Sequence, residues 1–234
     1  CERIRPAVTR ITTMDFQTFY SGSSGNLYRL TSGERAILID PGVTLKRIKH
    51  ALDFKVSTIG AALVSHSHLD HCKAVPDLMA AGIDCYMTAP TADALGLHHH
   101  RLHIIEPRKQ FDANGFQCIA FETAHDCDGA VGYLVSDGKE KLLFATDTYF
   151  VRPRFKDLNI IALEVNYSPE TMYPDCDPTR KKRLYKSHMS LENAIQLLKS
   201  NDLSRVREIH IIHTSRDNGD PAYFKAEVEK ATGK

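Results

Sequence analysis

The chain has 234 residues, 42% of them hydrophobic and 25% charged, with a net charge of +1. That length fits a single α/β domain over residues 1–234, and the near-neutral charge excludes a protein that grips nucleic acid by its overall field. No apolar run is long enough to span a bilayer and no signal-peptide pattern is visible, so no membrane partner is expected.

Short apolar or alternating runs bounded by Gly, Pro, Asn or Asp predict strands over Phe16–Phe19, Asn26–Leu30 and Ala36–Ile39. Tight turns at Ser32-Gly33 and Asp40-Pro41-Gly42 follow the last two. Between the first two strands lies Ser21-Gly22-Ser23-Ser24-Gly25-Asn26, small and polar, whose amides can cradle a phosphate. A helix is expected at Leu45–Leu52 and a strand at Ile59–Val64.

That strand runs into Ser65-His66-Ser67-His68-Leu69-Asp70-His71, three imidazoles and a carboxylate within six residues. Imidazole suits zinc, iron and manganese, and an adjacent carboxylate can serve a second ion. If the strand continues, His66 and His68 face the same way, with Asp70 and His71 past the bend.

Further on, helices are expected at Lys73–Ala80 and Thr91–Leu95, with strands at Asp84–Met87 and Leu102–Ile105. Leu97-His98-His99-His100-Arg101 reads as an exposed loop that can line a cleft. Strands follow at Gln117–Phe121, Ala130–Val135, Lys141–Ala145, Ile160–Glu164 and Glu208–Ile212, and helices at Leu191–Lys199 and Pro221–Lys230. Ser190 is an N-cap, and Leu191, Ile195 and Leu198 share one helix face. His125, Asp147 and His213 each follow a strand. A lone His there is commonly structural and a lone Asp a cap. Together, after the histidine cluster, they predict ligands converging on one sheet edge. Tight turns early and helix alternation later fit two sheets under outer helices.

Cys1, Cys72, Cys85, Cys118, Cys127 and Cys176 show no C-x-x-C pairing, which favours reduced thiols in a cytosol. Cys72 adjoins His71 and Cys127 lies two past His125. Either can reach a metal, but a small buried filler is the expected role.

His66-x-His68-x-Asp70-His71, then His125, Asp147 and His213 in that order, resemble the metallo-β-lactamase-fold hydrolases. Ile39-Asp40-Pro41-Gly42 matches that family's early strand ending in Asp and Gly. The resemblance implies an αββα four-layer sandwich and two divalent ions, zinc or manganese. It implies that His66, His68 and His125 hold one ion, that Asp70, His71 and His213 hold the other, and that Asp147 bridges them. It places Asp40 behind the ligands.

Ser21–Asn26, Ser187-His188-Met189-Ser190 and His213-Thr214-Ser215-Arg216-Asp217-Asn218 are similar to the YycJ/WalJ group, which resembles 5′–3′ DNA exonucleases. Glu164-Val165-Asn166-Tyr167 with His188 resembles the Glu…His arrangement of ribonuclease Z, without its tRNA-clamping arm. Phage cyclic-nucleotide phosphodiesterases share much of the pattern. The implied chemistry is phosphodiester hydrolysis by a metal-bridging hydroxide. Asp70 would orient that hydroxide. His188, before a helix start where a phosphate can also sit, would protonate the leaving group, and Glu164 would orient His188. The expected substrate contacts are Ser23, Ser24, Asn26, Arg152, Lys182 and Arg183, with Arg154 and the run Arg180–Lys186 as further basic groups. Substrates left open are a nucleic acid or a cyclic nucleotide, with thioester or lactam hydrolysis as the rival reaction. The metal's identity and homo-oligomerisation are also open.

Overall fold

A computed structural model describes residues 13–172 and 177–234, Pro178 and Arg180 by their backbone alone. Cys1 and Cys176 lie outside the described residues, as does the Arg180 side chain.

Two six-stranded mixed sheets stack face to face. The first runs in chain order through β1 (Asp15–Tyr20), β2 (Leu27–Ser32), β3 (Arg35–Ile39), β4 (Ala61–Leu63), β5 (Asp84–Thr88) and β6 (Leu102–Ile105). The second holds β7 (Gln110–Ala113), β8 (Phe116–Glu122), β9 (Val131–Ser136), β10 (Lys141–Ala145), β11 (Ile160–Glu164) and β12 (Glu208–Ile212). Alternation decides which face each side chain takes. Phe16, Tyr28, Leu30, Ile37 and Ile39 of the first sheet meet Phe116, Tyr133, Val135, Leu142 and Phe144 of the second in the central core. The opposite faces are apolar as well, so each sheet needs a helical cover.

Four helices meet that need on the first sheet: α1 (Leu45–Ala51), α2 (Leu69–Cys72), α3 (Val75–Ala80) and α4 (Ala89–Ala94). On the second, Leu191, Ala194, Leu197 and Leu198 of α6 (Leu191–Lys199) and Phe224 and Val228 of α7 (Pro221–Thr232) close the outer core. Ser190 caps α6 by accepting from the Asn193 amide. The remaining helix, α5 (Pro178–Ser187), carries the basic run. Among the described residues no helix is long and apolar enough to cross a membrane.

Two sequence expectations change here. β4 stops at Leu63, so His66 and His68 do not lie on a strand; His68 is the residue that starts α2. The helix expected at Lys73–Ala80 begins two residues later, at Val75 with Pro76 in its first turn, and a separate short helix, α2, precedes it and ends at Cys72.

β3 runs parallel to β4, and β10, β11 and β12 are mutually parallel. β8 and β10 both pair antiparallel with β9, so they too point one way. The segments after β3, β4, β8, β10, β11 and β12 therefore emerge along one rim of the sandwich.

Candidate metal centre

Every ligand-type residue singled out in the sequence comes to this rim. Asp40 follows β3, His66 through His71 follow β4, and His125 follows β8. Asp147 follows β10, Glu164 ends β11, and His213 follows β12. Asp40, Asp147 and His213 all adopt left-handed backbone, with φ of 49°, 47° and 52°. The chain turns sharply at each strand end, and short polar side chains tolerate that conformation best.

Four imidazoles are held from behind through Nδ1. His71 donates to Asp40 Oδ2 (2.8 Å), His125 to the Ser187 carbonyl (3.0 Å) and His213 to Glu164 Oε1 (3.1 Å). His66 Nδ1 lies 2.9 Å from Ser65 Oγ, whose own O–H donates to Asp40 Oδ2. Each backing contact fixes a tautomer and turns Nε2 toward the cavity, where that of His71 also lies 3.1 Å from Asn26 Nδ2. His68 is turned the other way, with Nδ1 3.1 Å from His66 Nε2 and 3.2 Å from His125 Nε2. Those separations are close to the roughly 3.4 Å edge of a tetrahedron built on zinc–nitrogen bonds of about 2.1 Å.

A second set adjoins the first. His71 Nε2 is 3.5 Å, and His213 Nε2 3.7 Å, from Asp70 Oδ2. Asp147 lies between the sets, with Oδ2 3.0 Å from His71 Nε2 and Oδ1 3.5 Å from His213 Nδ1. Potential ligand atoms cluster as His66, His68, His125 and Cys127; as His66, His71 and Asp147; as Asp70, His71 and His213; and as Asp147, Glu164, His188 and His213. Buried His213 Nε2 has no hydrogen-bond partner. An orphaned ring nitrogen costs desolvation energy unless a cation meets it. The donor set thus fits divalent metal ions.

The electrostatics agree. Burial pushes the His66 imidazole well below its ordinary value, aided by neighbouring His71, which keeps it neutral as a ligand must be. Burial lowers His125, with a smaller push from His188, against the pull of Asp147, Asp126 and the Ser187 carbonyl. Burial also opposes charge on His71 and His213, but Asp147 overrides it at both, helped by Asp40 at His71 and by Asp70 and Glu164 at His213, which rises to about 10. Burial would raise Asp147; His213 and His71 instead hold it well below the carboxylate range. Charge on the two carboxylate-flanked imidazoles marks where a cation is wanted.

Glu164 and His188 form a separate pair. His188 Nδ1 donates to Glu164 Oε1 at 2.7 Å and lies 3.3 Å from Asp147 Oδ1. Glu164 also accepts from Asn166 Nδ2, His213 Nδ1 and the Thr148 and Met189 amides. With both oxygens occupied it anchors the imidazoles and has no lone pair to spare for an ion. Burial disfavours charge on His188, but Glu164 more than offsets this and raises it.

The cleft above these groups measures about 510 Å³ and is lined by Ser23, Asp70, Asp147, Arg183, His188 and Ser215, among others. The expected substrate contacts divide. Ser23 and Arg183 line the cleft, and Arg183 Nε donates to Asp126 Oδ2 at 2.8 Å. Ser24 lies to the side, accepting from Arg216. Asn26 is fully buried and braces the loop, accepting from the Gly22 amide and donating to the Asp70 carbonyl. The Gly25 and Asn26 amides are committed to the Gly22 and Asp70 carbonyls. Arg152 and Lys182 are exposed away from the cleft, and Arg154 lines a shallow hollow beside α6. At the start of α6 the Asn193 and Leu191 amides donate to Ser190 Oγ and to the Tyr167 carbonyl. The Leu97–Arg101 loop does not line the cleft; Arg101 pairs with Asp84 on β5. Cys72 is a buried filler; Cys127 is only half-buried, beside the first imidazole set.

Ser65, Asn166 and Ser187 stand within motifs quoted from the sequence and Asp126 beside His125, but none of the four carried an expected role. Ser65 and Asp126 adjoin His66 and His125 and could have been found as neighbours. Nothing local marks Ser187, because its role is one backbone carbonyl at the end of α5.

The family profile described as the Beta-lactamase superfamily domain matches residues 35–211. The chain belongs to that superfamily. It is a hydrolase of the metallo-β-lactamase fold. The exodeoxyribonuclease WalJ of Streptococcus pneumoniae is 25% identical over 216 residues, which cover 85% of this chain and 80% of WalJ. YhfI of Bacillus subtilis, a metallo-β-lactamase-fold protein, superposes with a TM-score of 0.70 at 16% identity, over 94% of this chain and 93% of its own. The short form of human tRNase Z gives 0.65 at 16% identity, over 87% and 93%.

Proposed function

We propose that the protein is a dinuclear metal-dependent phosphodiesterase of the cytosol that cleaves nucleic acid, working from a chain end. His66, His68 and His125 would hold one ion, Asp70, His71 and His213 the other, with Asp147 shared. Two such ions supply an acidified water and neutralise charge developing on the phosphoryl oxygens. The chain's own contribution is proton control. His188, its Nδ1 committed to Glu164, offers Nε2 to the cleft and donates a proton to the departing alkoxide. Asp70, part-exposed at the cleft, orients the attacking water. Arg183 meets a backbone phosphate at the rim.

The observation that carries this reading is the 2.7 Å Glu164–His188 contact beside the ligand sets. A raised, oriented imidazole suits an alkoxide that leaves only when protonated. The nuclease names of WalJ and tRNase Z support the same class. The volume of about 510 Å³ lies in the range of small-ligand sites, which also favours a second reading, a cyclic nucleotide.

The test is hydrolysis of bis-p-nitrophenyl phosphate by metal-stripped protein restored with manganese or zinc. Activity should return with metal and fall at least about a hundredfold in Asp147→Ala. Single-stranded 5′-phosphorylated DNA, RNA and cyclic nucleotides then separate the substrates. Silence with either metal, together with cleavage of thioesters or lactams, would overturn the reading.

A further inference from the structure

One donor at the rim has no part in this chemistry. Cys127 lies two residues past His125 in the loop between β8 and β9. Its sulfur joins the nitrogens of His66, His68 and His125 in one group, all within 4.8 Å of one another. The side chain is half-buried, with its sulfur beside the His66–His68 segment. The other described cysteines are placed differently. Cys72 donates to the Ser67 and His68 carbonyls, and Cys85 and Cys118 are buried within strands.

Imidazole and thiolate are both donors that zinc takes readily. Thiolate is soft and favours zinc, whereas manganese prefers oxygen donors. We propose that Cys127 supplies a thiolate to the ion held by His66, His68 and His125, and so makes that position selective for zinc over manganese. This rests on the dinuclear reading above. The thiol proton passes to solvent as the sulfur binds the cation. The second set, with Asp70 in place of sulfur, has no such bias. The two positions therefore differ in metal preference.

Cobalt(II) reports the ligand directly. Metal-stripped full-length protein titrated with cobalt should develop the visible bands of imidazole-bound metal and a near-ultraviolet thiolate-to-cobalt charge-transfer band. Cys127→Ser should lose only the second, while Cys118→Ser keeps both. Zinc affinity, read by competition with a chromophoric chelator, should fall roughly 10–100-fold in Cys127→Ser while manganese affinity holds. Should the variant fold poorly, the unaltered protein serves: zinc should shield Cys127 from iodoacetamide, read by peptide mass spectrometry, and manganese should not. Visible bands without the charge-transfer band, a band that survives Cys127→Ser, or alkylation indifferent to zinc would overturn the proposal and leave the metal centre standing. Absence of any cobalt binding would overturn the metal centre as well.

Discussion

One oxygen of Glu164 serves two imidazoles, His188 at 2.7 Å and His213 at 3.1 Å, with ring centroids 5.6 Å apart. A proton donor and a proposed ligand thus lean on the same charge. Because Glu164 raises His188, the protonated form survives to higher pH, and a rate that needs this proton falls as pH rises through the raised value. Glu164→Gln removes the cause, so in a pH–rate profile with an alkyl leaving group that fall should begin at lower pH. His188→Ala should lose about 10²–10⁴-fold on the alkyl ester and much less on a p-nitrophenyl ester, whose anion leaves unaided. Equal losses on both would remove His188 as the donor. Asp40 plays a matching part on the other side, backing His71 directly and His66 through Ser65. The ligand types were legible in the sequence because dense His and Asp at strand ends are rare. What backs them was less so: a buried Ser or a backbone carbonyl leaves no pattern.

At the scale of elements, β7 and α5 escaped a reading by apolar periodicity, for different reasons. β7 is a short edge strand with polar positions, yet Asn114-Gly115, at φ of 55° and 77°, is the two-residue turn that favours a hairpin. That signal was present and unused. α5 has no apolar stripe; its run of Lys and Arg reads as a solvated face, and what makes it matter is where its last turn ends. Ser187 reaches His125, and Arg183 reaches the cleft. Arg183→Ala should weaken single-stranded DNA binding and reduce the salt slope by about 1, whereas Arg152→Ala should change neither, as measured by fluorescence titration at several salt concentrations. The turn after β3 is equally demanding. A Cβ on Gly42 would overlap the Asp70 carbonyl and crowd the His71 amide. Gly42→Ala should displace α2 and reduce metal content in the purified protein, with a smaller loss of helical signal. Full metal occupancy in that variant would show that the close approach is dispensable.

For the molecule as a whole, the rim sets the response to pH. His213 rises to about 10 from an ordinary 6.5, and His71 is also raised. A raised group stabilises the fold fully below its unfolded value and loses that contribution as pH climbs through the folded value. Metal-free protein should therefore show a falling Tm between pH 6.5 and about 10. Asp147 and Glu164, held low, add stability that is lost as pH falls through their depressed folded values. Zinc binds neutral imidazole, so zinc-loaded protein should run the other way, losing stability as protons compete on the acid side. Calorimetry of both forms across this range checks the crossing; parallel curves would refute it. The two sheets and their helical covers were readable from alternating apolar runs. That the ligands meet at one sheet edge was expected from their places at strand ends; which strands run parallel to bring them there was not, because periodicity leaves strand direction undetermined. The left-handed turns at Asp40, Asp147 and His213 bear on how such a chain can drift under mutation. Most replacements there carry a conformational penalty before any chemistry is lost, and the cheap ones are Gly, Asn, Asp and His. Apart from Gly, these side chains can themselves carry a ligand atom. The backbone thus narrows the accessible substitutions toward side chains that can still donate to a cation or brace one that does, so the same three bends constrain both shape and chemistry.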